Sequence, residues 1–121
     1  MAYRKYSNER TLVGGIMFAS KAEAARYSEL LLLERAGAIS GIECHPRFAL
    51  VVNGCKIATY VADFRYLDKR TGLAVVEDVK GVQTAVFKLK YKLVRALHGI
   101  DIVLIGRTRK KRVLRPRARV G

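Results

Sequence analysis

Residues 42–67 read IECHPRFALVVNGCKIATYVADFRYL, two β-rich runs joined by Asn53-Gly54. Asn-Gly between apolar runs is the strongest short-range hairpin signal, because both residues of the turn accept positive φ. The reading is one strand over Ile42–Val52 and a second over Lys56–Leu67, with Val52 facing Cys55. Counting back along both strands places Cys44 opposite Asp63 and keeps the two cysteines apart, which argues against a cross-strand disulfide. Pro46 cannot donate to a ladder, so the first strand is expected at a sheet edge.

Outward from this hairpin the pattern alternates. Upstream, Thr11–Phe18 reads as a short extended pair around Gly14-Gly15, within an N-terminal extended segment over residues 1–18. Ser20-Lys21-Ala22-Glu23 has the form of a capping box, and helix formers continue to Arg35, with Gly37 as the stop. Tyr27, Leu30, Leu31 and Leu33 are the expected buried stripe of that helix. Downstream, Asp68–Gly72 turns the chain into a third strand over Leu73–Lys80. Thr84 caps a second helix running to His98, with Gly99 beyond it, and Ile100–Ile105 is a final apolar strand. On the second helix Val86, Leu89, Leu93 and Leu97 share one side, Lys88, Lys92 and Arg95 the opposite one, and Lys90 falls on the apolar side. Helix, three strands, helix, strand is the order of a mixed α/β sandwich.

The chain has 121 residues, 50% apolar and 28% charged, a composition suited to one globular domain. Its charge is lopsided, with 24 Lys and Arg against 10 Asp and Glu and a net of +14. From Arg107 to Gly121 there are eight cations (Arg107, Arg109, Lys110, Lys111, Arg112, Arg115, Arg117, Arg119) and no acid, so we divide the chain into a domain over 1–106 and a basic C-terminal arm over 107–121. Such an arm attracts phosphate backbones without reading sequence. The overall surplus points to nucleic acid as partner, in branched or double-stranded form. No apolar run approaches the roughly 20 residues of a membrane span. Gly14-Gly15 interrupts the only stretch resembling a signal peptide, and Cys44 and Cys55 form no disulfide framework, so a reduced, cytoplasmic setting is expected.

Three carboxylates and a lysine carry candidate chemistry. Asp63 lies in the apolar run Tyr60–Phe64, where a charge is costly to bury unless paired. In Glu77-Asp78-Val79-Lys80, side chains two apart share a strand face, so Asp78 and Lys80 point together and Glu77 points away. Two carboxylates converging with a lysine suit Mg²⁺, with Mn²⁺ as a plausible substitute, and a lysine placed to orient a water or offset transition-state charge. A sheet-end salt bridge of Lys80 with Asp63 or Asp78 is the structural alternative, and the capping box alone accounts for Glu23; residue types by themselves leave both readings open. His45 and His98 lack ligand spacing with any cysteine, so no Zn²⁺ site is expected.

The ordered set of helix-borne Glu23, strand Asp63 and Asp78-Val79-Lys80 resembles the PD-(D/E)xK nuclease superfamily, and most closely its small phage-encoded members akin to archaeal-type Holliday-junction resolvases. The resemblance spans residues 16–105 and implies a restriction-endonuclease-like α-β-β-β-α-β core, a mixed central sheet flanked by helices. It implies Asp63 and Asp78 as metal ligands, Val79 lending its carbonyl, Glu23 as a direct or water-mediated ligand, and Lys80 as the catalytic lysine. It also implies a polar second-helix residue, Lys90, near the phosphate, and a homodimer with no small-molecule cofactor. Lys88, Lys92 and Arg95, with Arg107, Arg109, Lys110, Lys111 and Arg112 of the arm, are the expected DNA contacts. Ala62 stands where the motif name has Pro, and Asp78 where resolvases usually carry Glu. The functions left open are a metal-dependent junction-resolving endonuclease, another nicking or structure-specific endonuclease, and a non-catalytic basic nucleic-acid-binding protein.

Overall fold

A computed structural model describes residues 10–79 and 83–106; Lys80 and the arm over 107–121 lie outside the described residues. The chain opens with a small hairpin, β1 (Thr11–Val13) and β2 (Ile16–Phe18), and enters helix α1 (Lys21–Arg35). Ser20 caps α1 by accepting a hydrogen bond from the Glu23 N–H, as the capping box requires. Beyond the last turn of α1, Gly37 takes the left-handed conformation at φ 84° and donates to the Glu34 carbonyl.

The central hairpin then departs from two unbroken strands. Each arm is split, into β3 (Ile39–Cys44) and β4 (Arg47–Val52) on the way out and β5 (Cys55–Val61) and β6 (Phe64–Asp68) on the way back. The breaks fall at His45-Pro46 and Ala62-Asp63, opposite one another. Pro46 has no N–H to continue a ladder, and His45 before it adopts φ 59°, a left-handed conformation that few side chains take up. The ribbon bends here from one sheet into another. β3 becomes the edge of a four-stranded sheet ordered β3-β6-β7-β8, while β4 and β5 form a two-stranded sheet of their own.

The expected register is also corrected. Val52 faces Cys55, but a bulge between Leu50 and Val51 leaves Ile57 over, so that Leu50 faces Ala58 and Cys44 faces Phe64. A one-residue slip would send every side chain beyond it to the wrong face, and the bulge absorbs the mismatch between turn and core. With it in place, Phe48, Leu50 and Tyr60 all turn inward. Both cysteines are free thiols.

Strand β7 (Leu73–Val79) runs antiparallel to β6 and parallel to β8 (Val103–Ile105), and α2 (Ala85–His98) makes the crossover a parallel pair needs. The result is the expected mixed α/β architecture with a helix on each side. On the α1 side Phe18, Ala24, Leu30, Ile39, Phe64 and Tyr66 form one core. On the α2 side Phe48, Leu50, Tyr60, Ala62, Val76, Phe87, Val94 and Ile102 form the other.

On α1 Leu30 is buried and Tyr27 packs against the same core, as expected, but Leu33 is exposed and Glu23 and Ala24 turn inward as well; α2 departs further from the expected face. On α2 the buried residues are Phe87 and Val94, with Tyr91 beside them, while Val86, Leu89 and Leu97 are exposed. The partners decide this phase: Phe87 stands 6.2 Å ring to ring from Tyr60, and the His98 ring 5.8 Å from Phe48, so the aromatic row packs on the bent hairpin and the aliphatic row faces outward.

Candidate metal centre

The site lies where the hairpin bends. The His45 N–H donates to the Asp63 carbonyl at 2.9 Å, and the Ala62 N–H to the Pro46 carbonyl at 3.0 Å, so the two bends are bonded to each other. At this point Asp63 leaves the strand alternation. Its N–H donates to the Glu77 carbonyl at 3.2 Å, and its Oδ2 accepts from the Val79 N–H at 2.7 Å, a short charge-assisted bond. A side-chain oxygen thus replaces a backbone partner at the end of β7, and the carboxylate is held at the sheet's rim.

Glu23 approaches from α1. It is almost fully buried, and its two oxygens have separate roles. Oε1 accepts from the Ala19 N–H at 3.0 Å and closes the helix start; Oε2 stands 3.4 Å from His45 Nε2. The capping function and the site therefore share one side chain. The His45 ring is 5.9 Å from the ring of buried Phe18, which with Tyr27 and Phe64 makes an apolar floor. One ligand-type atom from each of Glu23, His45 and Asp63 falls within 4.8 Å of the others. Two carboxylates and an imidazole, brought from a helix and both arms of a hairpin onto an apolar floor, fit a divalent cation by donor type and spacing. Burial pushes the neighbouring Cys44 thiol upward in pKa, and the carboxylates of Glu23 and then Glu43 add to it.

The expected residues are placed as follows. Glu23 and Asp63 come together. Asp78 is buried one position before Val79 on β7, across from Leu104 of β8, and stands outside the Glu23–His45–Asp63 set. Val79 contributes its N–H to Asp63, and Lys80 lies outside the described residues. Glu77 points away from Asp78, as strand alternation requires. It is fully buried on the α1 side, where Arg26 forks onto both its oxygens at 2.7 and 2.8 Å and the Tyr66 hydroxyl donates at 2.6 Å. The Glu77 hydrogen bonds raise the Arg26 pKa further above its usual value, and burial, then the Glu77 bond, raises that of Tyr66.

Lys90 lies against the hairpin with its ammonium donating to the Thr59 carbonyl at 3.2 Å. Lys88, Lys92 and Arg95 are exposed, and Arg95 reaches Asp101 at 3.0 Å. Arg107, Arg109, Lys110, Lys111 and Arg112 lie outside the described residues.

His45 was not among the expected site residues. Spacing to cysteines is uninformative about it, because its partners are carboxylates distant in sequence. The signal available was the Asn53-Gly54 hairpin itself, since moving its register by one residue brings His45 rather than Cys44 opposite Asp63.

Residues 3–111 match the family described as a protein of unknown function, DUF1064. The chain belongs to this family. The match takes in the whole DUF1064 core described above, both helices and all eight strands, together with Glu23, His45, Asp63 and Asp78. No curated protein and no solved structure matches the chain. Among the described residues no helix is long and apolar enough to cross a membrane.

Proposed function

We propose that this DUF1064 chain is a divalent-metal-dependent endonuclease that cuts branched DNA, with four-way junctions as its substrate. The observation that carries the reading is the meeting of Glu23 and Asp63, far apart in sequence, at one rim of the sheet beside the strand that leads into Asp78-Val79-Lys80. The net charge of +14 supports a polyanionic substrate.

In this reading Glu23 and Asp63 hold Mg²⁺ or Mn²⁺ at the rim; the superfamily resemblance adds the Val79 carbonyl and Asp78, which β7 carries on its other face. The bound cation supplies Lewis-acid stabilisation of charge on the scissile phosphate. The chain's own residues do the rest. Asp63, braced by the Val79 N–H, keeps its carboxylate at a fixed angle, and Glu23 is held by the helix cap, so neither has to reorganise when substrate arrives. Lys80 orients the attacking water and offsets charge as the phosphorus–oxygen bond breaks. Lys88, Lys92, Arg95 and the basic arm bind backbone phosphates. A junction needs two opposed cuts, so the acting species is a homodimer, and its place of action is the cytoplasm, that of the host cell if the chain is phage-encoded.

The test offers purified full-length chain a four-way junction, a flap and a plain duplex, each with Mg²⁺ and with Mn²⁺, and maps the cuts. Paired, symmetric cuts in the junction are expected. Binding without cleavage on every substrate with both ions would leave a basic nucleic-acid-binding protein and overturn the nuclease reading.

A further inference from the structure

We infer that the Glu23–His45–Asp63 cluster is a mixed nitrogen–oxygen site that selects Mn²⁺ over Mg²⁺, with His45 as the discriminating ligand. The inference deepens the nuclease reading, on which it rests for its biological meaning, by naming the class of ion.

Mg²⁺ is a hard ion that takes oxygen ligands and sheds water reluctantly, whereas imidazole nitrogen suits first-row transition ions. Two oxygen donors alone would not discriminate. The third donor is a nitrogen, and three independent features aim it. The His45 N–H is bonded to the Asp63 carbonyl, which ties its backbone to that of a fellow ligand. Its φ of 59° turns the side chain out of the strand alternation at the bend. Its ring lies 5.9 Å from that of Phe18, which limits how it can swing.

An ordinary ion pair with Glu23 is the competing account; the contact is within ion-pair range yet long for a charge-assisted hydrogen bond, and nitrogen coupling tells the two apart. A charge-assisted N–H···O bond is about 2.7–2.9 Å long, whereas Nε2 and Oε2 are 3.4 Å apart. Two atoms bound to one ion at about 2.1 Å each can lie up to about 4.2 Å apart. The 3.4 Å separation falls inside that span, and the full set, within 4.8 Å, needs to close by only a few tenths of an ångström.

The experiment uses metal-stripped full-length chain without DNA. Titration calorimetry compares Mn²⁺ with Mg²⁺, and pulsed electron paramagnetic resonance of the Mn²⁺ form looks for coupling to a nitrogen nucleus. We expect nitrogen coupling and Mn²⁺ binding at least about tenfold tighter than Mg²⁺. His45→Asn, whose side chain tolerates the left-handed backbone, should abolish the coupling and weaken Mn²⁺ at least about tenfold, with Mg²⁺ affinity changing by less than about threefold. Equal affinity for the two ions, or no nitrogen coupling in the unaltered chain, overturns the inference without reliance on any variant; so does coupling that persists in His45→Asn. Failure to cut DNA by a chain that binds Mn²⁺ through nitrogen would reject the nuclease reading and leave this one standing. Cleavage without nitrogen coupling would do the reverse.

Discussion

Glu77 and Asp78 are adjacent on β7 and both almost completely buried, yet they belong to different layers: Glu77 is clasped by Arg26 and Tyr66 beneath α1, while Asp78 faces the side packed by α2. Strand alternation turns two consecutive carboxylates to opposite faces, and the surroundings give them different work. The bidentate Arg26 bond anchors α1, and with it Glu23, to the strand whose end braces Asp63.

Arg26 and Glu77 should therefore be coupled in stability. Removing one member of a buried pair leaves an uncompensated charge, at a typical cost of about 3–5 kcal/mol, while replacing both by apolar groups is often neutral. Arg26 keeps some exposure, so Arg26→Met is expected to cost about 2–3 kcal/mol. The double variant Arg26→Met with Glu77→Leu should recover most of it. Urea unfolding of the singles and the double measures the coupling, and additive losses would show that the pair does not anchor the helix.

The same clasp has an alkaline signature. Tyr66 has a pKa raised by burial and by its bond to Glu77, so the folded chain keeps a proton that the unfolded chain releases. Its contribution is complete below the ordinary tyrosine value near 10 and is lost as pH rises beyond it. Thermal melts should decline more steeply above pH 10 in the unaltered chain than in Tyr66→Phe; parallel curves would remove Tyr66 from the account.

Asp63→Asn and Lys80→Ala should abolish cleavage of a four-way junction while leaving its binding largely intact. The first weakens a metal ligand and the second removes the proposed transition-state cation, and neither lies among the expected phosphate-binding residues. Gel-shift and single-turnover cleavage assays separate the two quantities. A variant that cuts at the unaltered rate has been given the wrong role.

Deleting residues 107–121 should weaken binding to junction, flap and duplex alike without moving the scissile bond. For every phosphate that the shortened chain no longer neutralises, the slope of log affinity against log salt flattens by about 0.9 on duplex DNA. Eight cations leave with the segment, so a change of several units is available. An unchanged slope would show that the arm does not touch DNA.

The two thiols should react in a fixed order. Cys55 is exposed, whereas Cys44 is partly covered and its pKa is raised by burial and by Glu23, so at pH 7.5 less of it is thiolate. Alkylation followed by peptide mass mapping should find Cys55 modified first, with the two rates converging in urea. Equal rates in the folded chain would contradict the placement of Cys44 beside Glu23.

Much of this was legible in the residues themselves. Asn53-Gly54, the Ser20–Glu23 box, Thr84 and Gly99 act through bonds to near neighbours, so they locate the turn and both helix ends without reference to the rest of the chain. Asp63 is visible in the same way, because a carboxylate in an apolar run stands out wherever the chain takes it, whereas Glu23, fully accounted for by its capping box, was marked only by the superfamily resemblance. What only the tertiary structure decided depends on surfaces that meet late in sequence. The Ile57 bulge answers a conflict between turn register and core; Asn53-Gly54 sets the first, but the second is not written in the hairpin alone. The inward face of α2 follows from the rings of Phe48 and Tyr60 rather than from the count of leucines. His45 enters the site because the ribbon bends where its two arms face each other, and Glu77 is buried because Arg26 lies one helix away. Local propensity sets where elements begin and end; the face each presents is set by packing, which is a property of pairs of elements and not of either one.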